Sequence, residues 1–287
     1  MTEKNQTEKA TLYLVATPIG NLSDLSPRAV KVLSEVDFIA AEDTRNSLKL
    51  LTFFSVRRPL VSYHEHNRAE RGPEIVSRLL FGESCALITD AGMPAVSDPG
   101  EDLVRLAAEA GVPVRCVPGC CAAVTALALS GLPTGRFVFE GFLPSDRSDR
   151  RARLAALCAE ERTTILYEAP HRLKRTLAEL SEALGERPLA LCRELTKLNE
   201  EVIRTTLGGA VSLYETQEPR GEYVLILGGA TPTPAKDPLS ALSPEEHIRY
   251  YEASGLSRMD AIKAAARDRK IPKSALYNSL QKKKEHD

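Results

Sequence analysis

Two short segments have the residue types of a ligand-binding loop, VATPIGNLSD (Val15 to Asp24) and LITDAGMPAVSDPG (Leu87 to Gly100). Each follows an apolar run, breaks on Pro and Gly, and leads into a helix-start signal. That signal is Ser26-Pro27 after the first, and Asp98-Pro99 in the second, with Glu101 and Asp102 beside the positive helix end. The chemistry on offer is that of the main chain, because small residues let backbone N–H and C=O groups come close to a ligand. Loops at the carboxyl ends of parallel strands are where open α/β sheets bind ligands, so two of them about seventy residues apart imply one pocket. The first loop lacks G-x-G-x-x-G, which argues against a dinucleotide site.

Metal chemistry is not expected. The six cysteines (Cys85, Cys116, Cys120, Cys121, Cys158 and Cys192) include no C-x-x-C pair, and of the five histidines only His64 and His66 are close in sequence. The thiols read as reduced packing residues.

The elements that must position these loops follow from the apolar pattern. Strands are expected near 12–16, 37–41, 84–89 and 113–117, with a short one around Leu60, joined by helices near 27–35, 44–53, 68–80, 99–110 and 120–130. Such alternation predicts an α/β fold with a mainly parallel sheet covered on both faces. FVFEGFLP (Phe137 to Pro144) runs into a linker, and the pattern begins again. Strands near 163–167, 188–193, 201–206 and 222–227, with helices near 148–159, 172–184 and 209–216, predict a second α/β domain whose pocket faces the first. The expected division is a lead-in over 1–10, an α/β domain over 11–136, a second over 137–229, a Pro-rich linker over 230–243 and a helical module over 244–287.

At 287 residues, 43% of them hydrophobic, the chain suffices for ordinary cores, and no apolar run is long enough for a membrane helix, so a cytoplasmic protein is expected. The net charge of −1 excludes a molecule that is basic throughout, so any nucleic-acid surface must be local. The tail is such a patch. From Arg258 to Lys284, nine basic residues (Arg258, Lys263, Arg267, Arg269, Lys270, Lys273, Lys282, Lys283 and Lys284) face two acidic ones, a net +7 against −8 for the rest of the chain. Met259, Ile262 and Ala266 share one helical face, as do Leu276 and Leu280, so the tail reads as a small helix-turn-helix-like module with phosphate contacts. A second cluster follows the interdomain linker, where Arg147, Arg150 and Arg151 fall on one helical face beside Arg153.

Six ordered segments carry a resemblance: TPIGNLSD, AEDTR (Ala41 to Arg45), ITDAGMPAVSDPG, VPGCCA (Val117 to Ala122), YEAPHR (Tyr167 to Arg172) and RELTK (Arg193 to Lys197). Over about residues 11 to 229 the chain resembles the tetrapyrrole-methylase superfamily of S-adenosylmethionine enzymes, and within it the branch that methylates a ribose 2′-hydroxyl in small-subunit (16S) ribosomal RNA, on a cytidine of the decoding region. The TPIGNL loop separates it from the precorrin enzymes, and Cys120 stands where the family usually has the second proline of Pro-Gly-Pro.

The resemblance implies S-adenosylmethionine in the cleft between the two domains. It assigns Ile19, Gly20, Asp90, Ala91, Gly92, Ala95, Cys121 and Ala122 to the cofactor from the first domain, and Glu168 and Leu195 from the second. The implied reaction is an in-line attack of a ribose oxygen on the sulfonium methyl, which needs positioning and the removal of one proton. Candidates inside the matching segments include Glu42, Asp43, Arg45, His64, Glu65, His66, Asn67, His171, Arg172 and Glu194, with Glu168, Arg193 and Lys197 preferred. The implied partner is 16S ribosomal RNA within the small subunit, and the implied assembly is a homodimer. Two other readings are a small-molecule methylase of the tetrapyrrole kind and a ligand-sensing, nucleic-acid-binding regulator.

Overall fold

The computed structural model describes residues 7–231, 239 and 242–277. Leu280, Lys282, Lys283, Lys284 and most of the expected linker and lead-in lie outside the described residues. The chain forms two compact units, Met1–Ala230 and Thr231–Asp287.

The first unit contains two five-stranded sheets. In the first, β1 (Leu12–Val15), β2 (Phe38–Ala41), β3 (Leu60–Ser62), β4 (Cys85–Ile88) and β5 (Val114–Val117) are all parallel, in the order β3-β2-β4-β1-β5. Strands this apolar must be covered twice. Tyr13, Val15, Ile39, Ala41, Ala86 and Ile88 pack under α1 (Pro27–Glu35) and α2 (Thr44–Phe53), while Leu12, Phe38, Ala40, Cys85 and Leu87 pack under α3 (Arg68–Leu80) and α4 (Gly100–Glu109). Ser26 caps α1, its hydroxyl accepting from the Ala29 N–H at 3.1 Å, with Pro27 at the first position. The cap expected at Asp98 falls one residue later, on Pro99; the Asp98 carboxylate braces the loop instead, accepting from the Ala95 and Gly100 N–H groups at 3.0 and 2.7 Å.

The second sheet departs from the parallel pattern. β6 (Phe137–Phe142) pairs parallel with β7 (Thr163–Glu168), but β10 (Tyr223–Leu227) runs antiparallel to both β7 and β8 (Pro188–Arg193), and β9 (Glu201–Thr206) is antiparallel to β8, giving the order β6-β7-β10-β8-β9. One face carries Leu166, Leu189, Leu191, Tyr223, Leu225 and Leu227 against α6 (Arg147–Cys158), α7 (Pro170–Leu184) and α8 (Leu207–Thr216). The other carries Ile165, Ala190, Cys192, Val224 and Ile226 against α5 (Ala122–Ser130), a largely apolar helix whose Ala123, Ala126 and Leu127 are buried there while Val124 stays 54% exposed.

In the second unit, α9 (Pro244–Ala253) opens with a capping box between Ser243 and Glu246, and Ser257 caps α10 (Arg258–Asp268). Ile248, Ala261, Ile262, Ala265, Ala266 and Leu276 form its core. Met259, expected on the buried face, is instead 54% exposed, whereas Ile262 and Ala266 of the same stripe are buried.

Candidate active site

Sheet order brings the loops together. Because β1 lies between β4 and β5 and all three are parallel, the loops that follow them leave the same sheet edge side by side. The first two are also joined directly, with the Thr17 N–H donating to the Gly92 carbonyl at 2.9 Å and the Gly92 N–H donating to the Thr17 carbonyl at 3.1 Å. Gly92 has φ +88°, and a Cβ built on it would stand 3.2 Å from Ile19 Cγ2 and 3.5 Å from the Cys120 carbonyl, so this is a place where three loops meet and only glycine fits. Ala95 and Ser97 also hold positive φ, at +65° and +62°. Strained backbone of this kind gathers at ligand sites.

These loops and the second sheet enclose a cavity of about 560 Å³, within the range of small-molecule sites. Ile19, Ala91, Gly92, Cys121, Ala122, Glu168 and Leu195, all expected at the cofactor, line it, as does Lys197. Gly20, Asp90 and Ala95 fall outside the lining. Gly20 lies behind Ile19, where an added Cβ would strike Lys197 Cγ and approach Thr196 Oγ1 to 2.8 Å. Its absent side chain is therefore what lets the first loop close on the 195–197 turn. Asp90 is exposed and accepts from the Asn46 amide at 3.3 Å, and partial burial raises its pKa, with Glu42 and Asp43 adding to the rise. At Cys120 and Cys121, where the family's second proline is missing, the backbone is extended (Cys121 φ −144°, ψ 108°) and opens α5 without a side-chain cap.

The three preferred catalytic residues have different fates. Glu168 reaches the cavity wall, but its side chain is 1% exposed and fully engaged. One oxygen accepts from the Ala169 N–H at 2.9 Å and lies 3.3 Å from Arg172 Nε; the other accepts from the Thr176 hydroxyl at 2.5 Å. Arg150 donates to that same hydroxyl at 2.7 Å and pairs with Glu179 at 2.5 Å. This chain of bonds ties α6 and the end of β7 to α7. It also corrects the expectation that Arg150 faces RNA: at 4% exposure it is the buried member of its helical stripe, leaving Arg147 and Arg151 exposed on α6 and Arg153 paired with Glu140 at 2.9 Å.

Arg193 is also corrected. Side chains alternate along a strand, so Arg193 shares the helix-covered face with Leu189 and Leu191, whereas Cys192 lines the cavity. Its guanidinium pairs with Glu201 at 3.1 Å. Lys197 donates to Glu194 and Glu222, each at 2.9 Å. Burial alone would lower its pKa, but those two carboxylates outweigh it and hold the ammonium charged. Glu194 and Thr196 beside it have φ of +51° and +65°.

Of the other lining residues, Glu42 and His171 are candidates in the sequence, which assigns Phe142, Tyr167 and Asp98 no role in the site. Phe142 and Tyr167 bring aromatic surface, with burial pushing the Tyr167 phenol up to about 12. Asp98 lines the cavity with its pKa raised by burial, against the two N–H groups that hold it. Glu42 receives the Thr89 hydroxyl at 2.7 Å. His171, in the first turn of α7, lines the cavity and has no hydrogen bond or ion pair with another described residue. The Asn67 side chain bonds the His64 N–H and the Ser62 carbonyl to shape the start of α3, and the His64 imidazole, its Nδ1 buried without a hydrogen-bond partner, lies outside the cavity lining.

In the second unit Lys263, Arg267, Lys270 and Lys273 are exposed, and exposed Arg258 pairs with Glu252 at 3.3 Å. Arg269, expected to bind RNA, is turned inward. It donates to His247 Nδ1 at 3.1 Å and to the Leu242 carbonyl, closing the module around the stacked His247 and Tyr251 rings.

Comparison with known proteins decides the family. Residues 11–211 match the family described as Tetrapyrrole (Corrin/Porphyrin) Methylases. The chain belongs to this family. It is 48% identical over 267 residues to "Ribosomal RNA small subunit methyltransferase I" of Synechocystis sp., covering 93% of this chain and 95% of that one. It is 41% identical over 282 residues to the protein of the same name from Bacillus subtilis, covering 97% of each. Among solved structures, a cobalt precorrin-4 methyltransferase aligns with TM-score 0.56 at 19% identity, covering 76% of this chain and 95% of that one. The uroporphyrin-III-C-methyltransferase of Thermus thermophilus aligns with TM-score 0.53 at 22% identity, covering 76% and 94%. These two share the fold of this tetrapyrrole methylase.

Proposed function

We propose that this protein transfers a methyl group from S-adenosylmethionine to the ribose 2′-hydroxyl of a cytidine in the decoding region of 16S ribosomal RNA. The observation that carries the reading is likeness along nearly the whole chain to proteins named as small-subunit ribosomal RNA methyltransferases, at 41–48% identity. A tetrapyrrole substrate has less support, resting on structures at 19–22% identity. A purely sensing role leaves the likeness to methyltransferases unexplained.

The cavity fits the cofactor. Its volume is ample, and the meeting of loops at Gly92 leaves main-chain groups in place of side chains, as a ligand with an amino-acid end requires. Ile19, Ala91, Gly92, Cys121, Ala122 and Leu195 would hold it. When bound it supplies an already activated methyl, so the protein's tasks are alignment and one proton. Glu168 is unsuited to take that proton, since both of its oxygens are committed. His171 is free to accept it at an imidazole nitrogen. Lys197, held charged by Glu194 and Glu222, would steady the oxygen as its charge develops.

The exposed Arg147 and Arg151 on α6 and the exposed lysines of the second unit would meet RNA phosphates. The reading places the protein in the cytoplasm, acting within the small subunit as a homodimer; the fully exposed Leu198 is the kind of side chain a subunit interface covers. Among the described residues no helix is long and apolar enough to cross a membrane. The test is a primer-extension map of 16S ribosomal RNA from cells with and without this protein. One ribose-methylation stop should vanish in the deletion and return with the wild-type gene; identical maps would refute the reading.

A further inference from the structure

We propose that Phe142 is the platform on which the base of the target nucleotide stacks during methyl transfer, an inference that rests on the RNA-methylating reading above. Of the exposed aromatic side chains among the described residues (Phe53, Phe81, Phe137, Phe142, Tyr250 and Tyr277), only Phe142 lines the cavity. It is 52% exposed there, which a core packing role does not explain.

A local backbone device aims it. Phe139 pairs with Ile165 across β6 and β7, but Gly141 pairs with Leu166 and Phe142 with Tyr167, so one residue is extra on β6. In an unbroken strand, positions 139 and 142 would face opposite sides of the sheet. The bulge restores Phe142 to the side of Phe139 and Tyr167, the side on which the cavity lies. Gly141 makes the bulge possible, with φ +67° and a site for Cβ only 2.9 Å from Ser97 Oγ.

The ring is also held still. Phe142 meets Tyr167 edge-on, with centroids 5.6 Å apart and planes at 64°, and Tyr167 meets Phe139 edge-on at 5.2 Å and 73°. Single-stranded RNA is commonly recognised by stacking an extruded base on such a ring.

The cofactor's adenine is a second planar group that could stack on such a ring, but the arrangement favours the substrate. Ile19, Cys121, Ala122, Leu195 and Tyr167 belong to one packed cluster with α5, the inner part of the cavity, and Phe142 lies outside that cluster at its open rim. From Phe142 the chain passes through Pro144 directly into α6, whose exposed Arg147 and Arg151 suit phosphates on either side of a stacked nucleotide.

The experiment uses full-length protein with small subunits from cells lacking it. Phe142→Leu keeps apolar volume and removes the ring. It should lower kcat/KM for subunits by roughly tenfold to a hundredfold, the usual worth of one stacked base, chiefly through KM, and leave the S-adenosylhomocysteine Kd within about twofold of wild type by calorimetry. Phe142→Tyr and Phe142→Trp should restore most of the loss. The chain has no tryptophan, so Phe142→Trp also introduces a single indole, whose emission is separable from that of the tyrosines by excitation at its red edge. Its emission should be quenched saturably by cytidine 5′-monophosphate in the presence of S-adenosylhomocysteine. Full activity in Phe142→Leu, or unquenched emission from Phe142→Trp, would overturn the proposal. Loss of S-adenosylhomocysteine binding in Phe142→Leu would assign the ring to adenine and overturn it as well. If wild-type protein methylates no RNA, the broader reading falls by that result alone, and the quenching measurement still decides Phe142.

Discussion

The two walls of the cavity are built differently. The wall from the first sheet is largely backbone: three neighbouring loops, a glycine at φ +88°, and two carboxylates, Glu42 and Asp98, bonded within their own lobe. The wall from the second sheet is largely side chain, with Phe142, Tyr167, His171 and Lys197 directed at the opening and Cys192 beneath them. A backbone wall suits a ligand that never changes, because main-chain groups are fixed by the fold. A side-chain wall suits the partner on which chemistry is done. On this account the first sheet holds the cofactor and the second meets the RNA.

The largest effect should come from the second wall's foundation. Glu168→Ala leaves the Ala169 N–H, Arg172 and the Thr176 hydroxyl without their shared acceptor in a buried site, and should destabilise the protein by about 3–5 kcal/mol in denaturant titrations. A variant as stable as wild type would show that this network is not structural.

Next is the backbone wall. Gly92→Val forces a β-branched residue into φ +88° against Ile19 and Cys120. Cofactor affinity should fall by roughly a hundredfold or more, with a loss of stability on the order of 1–3 kcal/mol from the strain. Calorimetry with S-adenosylmethionine measures this, and an unchanged Kd would remove the loop from the site. His171→Gln tests the opposite wall and should separate from it cleanly. Single-turnover methyl transfer should drop by about a hundredfold or more, while cofactor affinity stays near wild type. A variant that loses cofactor affinity but keeps its single-turnover rate would merge the two walls into one.

Smaller effects lie outside the cavity. Ending the chain after Ala230 should lower RNA affinity by about tenfold and flatten its salt dependence, since Lys263, Arg267, Lys270 and Lys273 would no longer release counterions. Equal affinities and equal salt slopes would exclude the module from RNA binding. Least of all, Arg193→Ala should change the rate by no more than about threefold and stability by under about 1 kcal/mol, because it removes only a partly exposed pair with Glu201.

Legibility in the sequence followed the same division. The first sheet could be read because β1, β2 and β4 are continuous apolar runs, the loops after β1, β4 and β5 break on Pro and Gly, and each loop sits next to the strand that positions it. In the second sheet the strands were legible, but their directions were not, because period-two patterning carries no sign of parallel or antiparallel pairing. Arg193 and Cys192 are adjacent letters that face opposite sides, and which side is the cavity depends on where α5 packs. Spacing correctly put Arg147, Arg150 and Arg151 on one stripe, yet could not show that α7 buries Arg150 of the three. Phe142 was hidden by a bulge that reverses the alternation a reader would apply.

The central claim is that the cleft between the two sheets methylates a ribose of small-subunit RNA with a cofactor held by the first sheet's loops. It is tested most directly by incubating small subunits from cells lacking the protein with methyl-labelled S-adenosylmethionine and either wild-type protein or Gly92→Val, then locating the label by mass spectrometry of 16S ribosomal RNA nucleosides. The account predicts a single labelled 2′-O-methylcytidine with wild type and almost none with the variant. Label on a base, on no RNA at all, or at equal level with both proteins would contradict it.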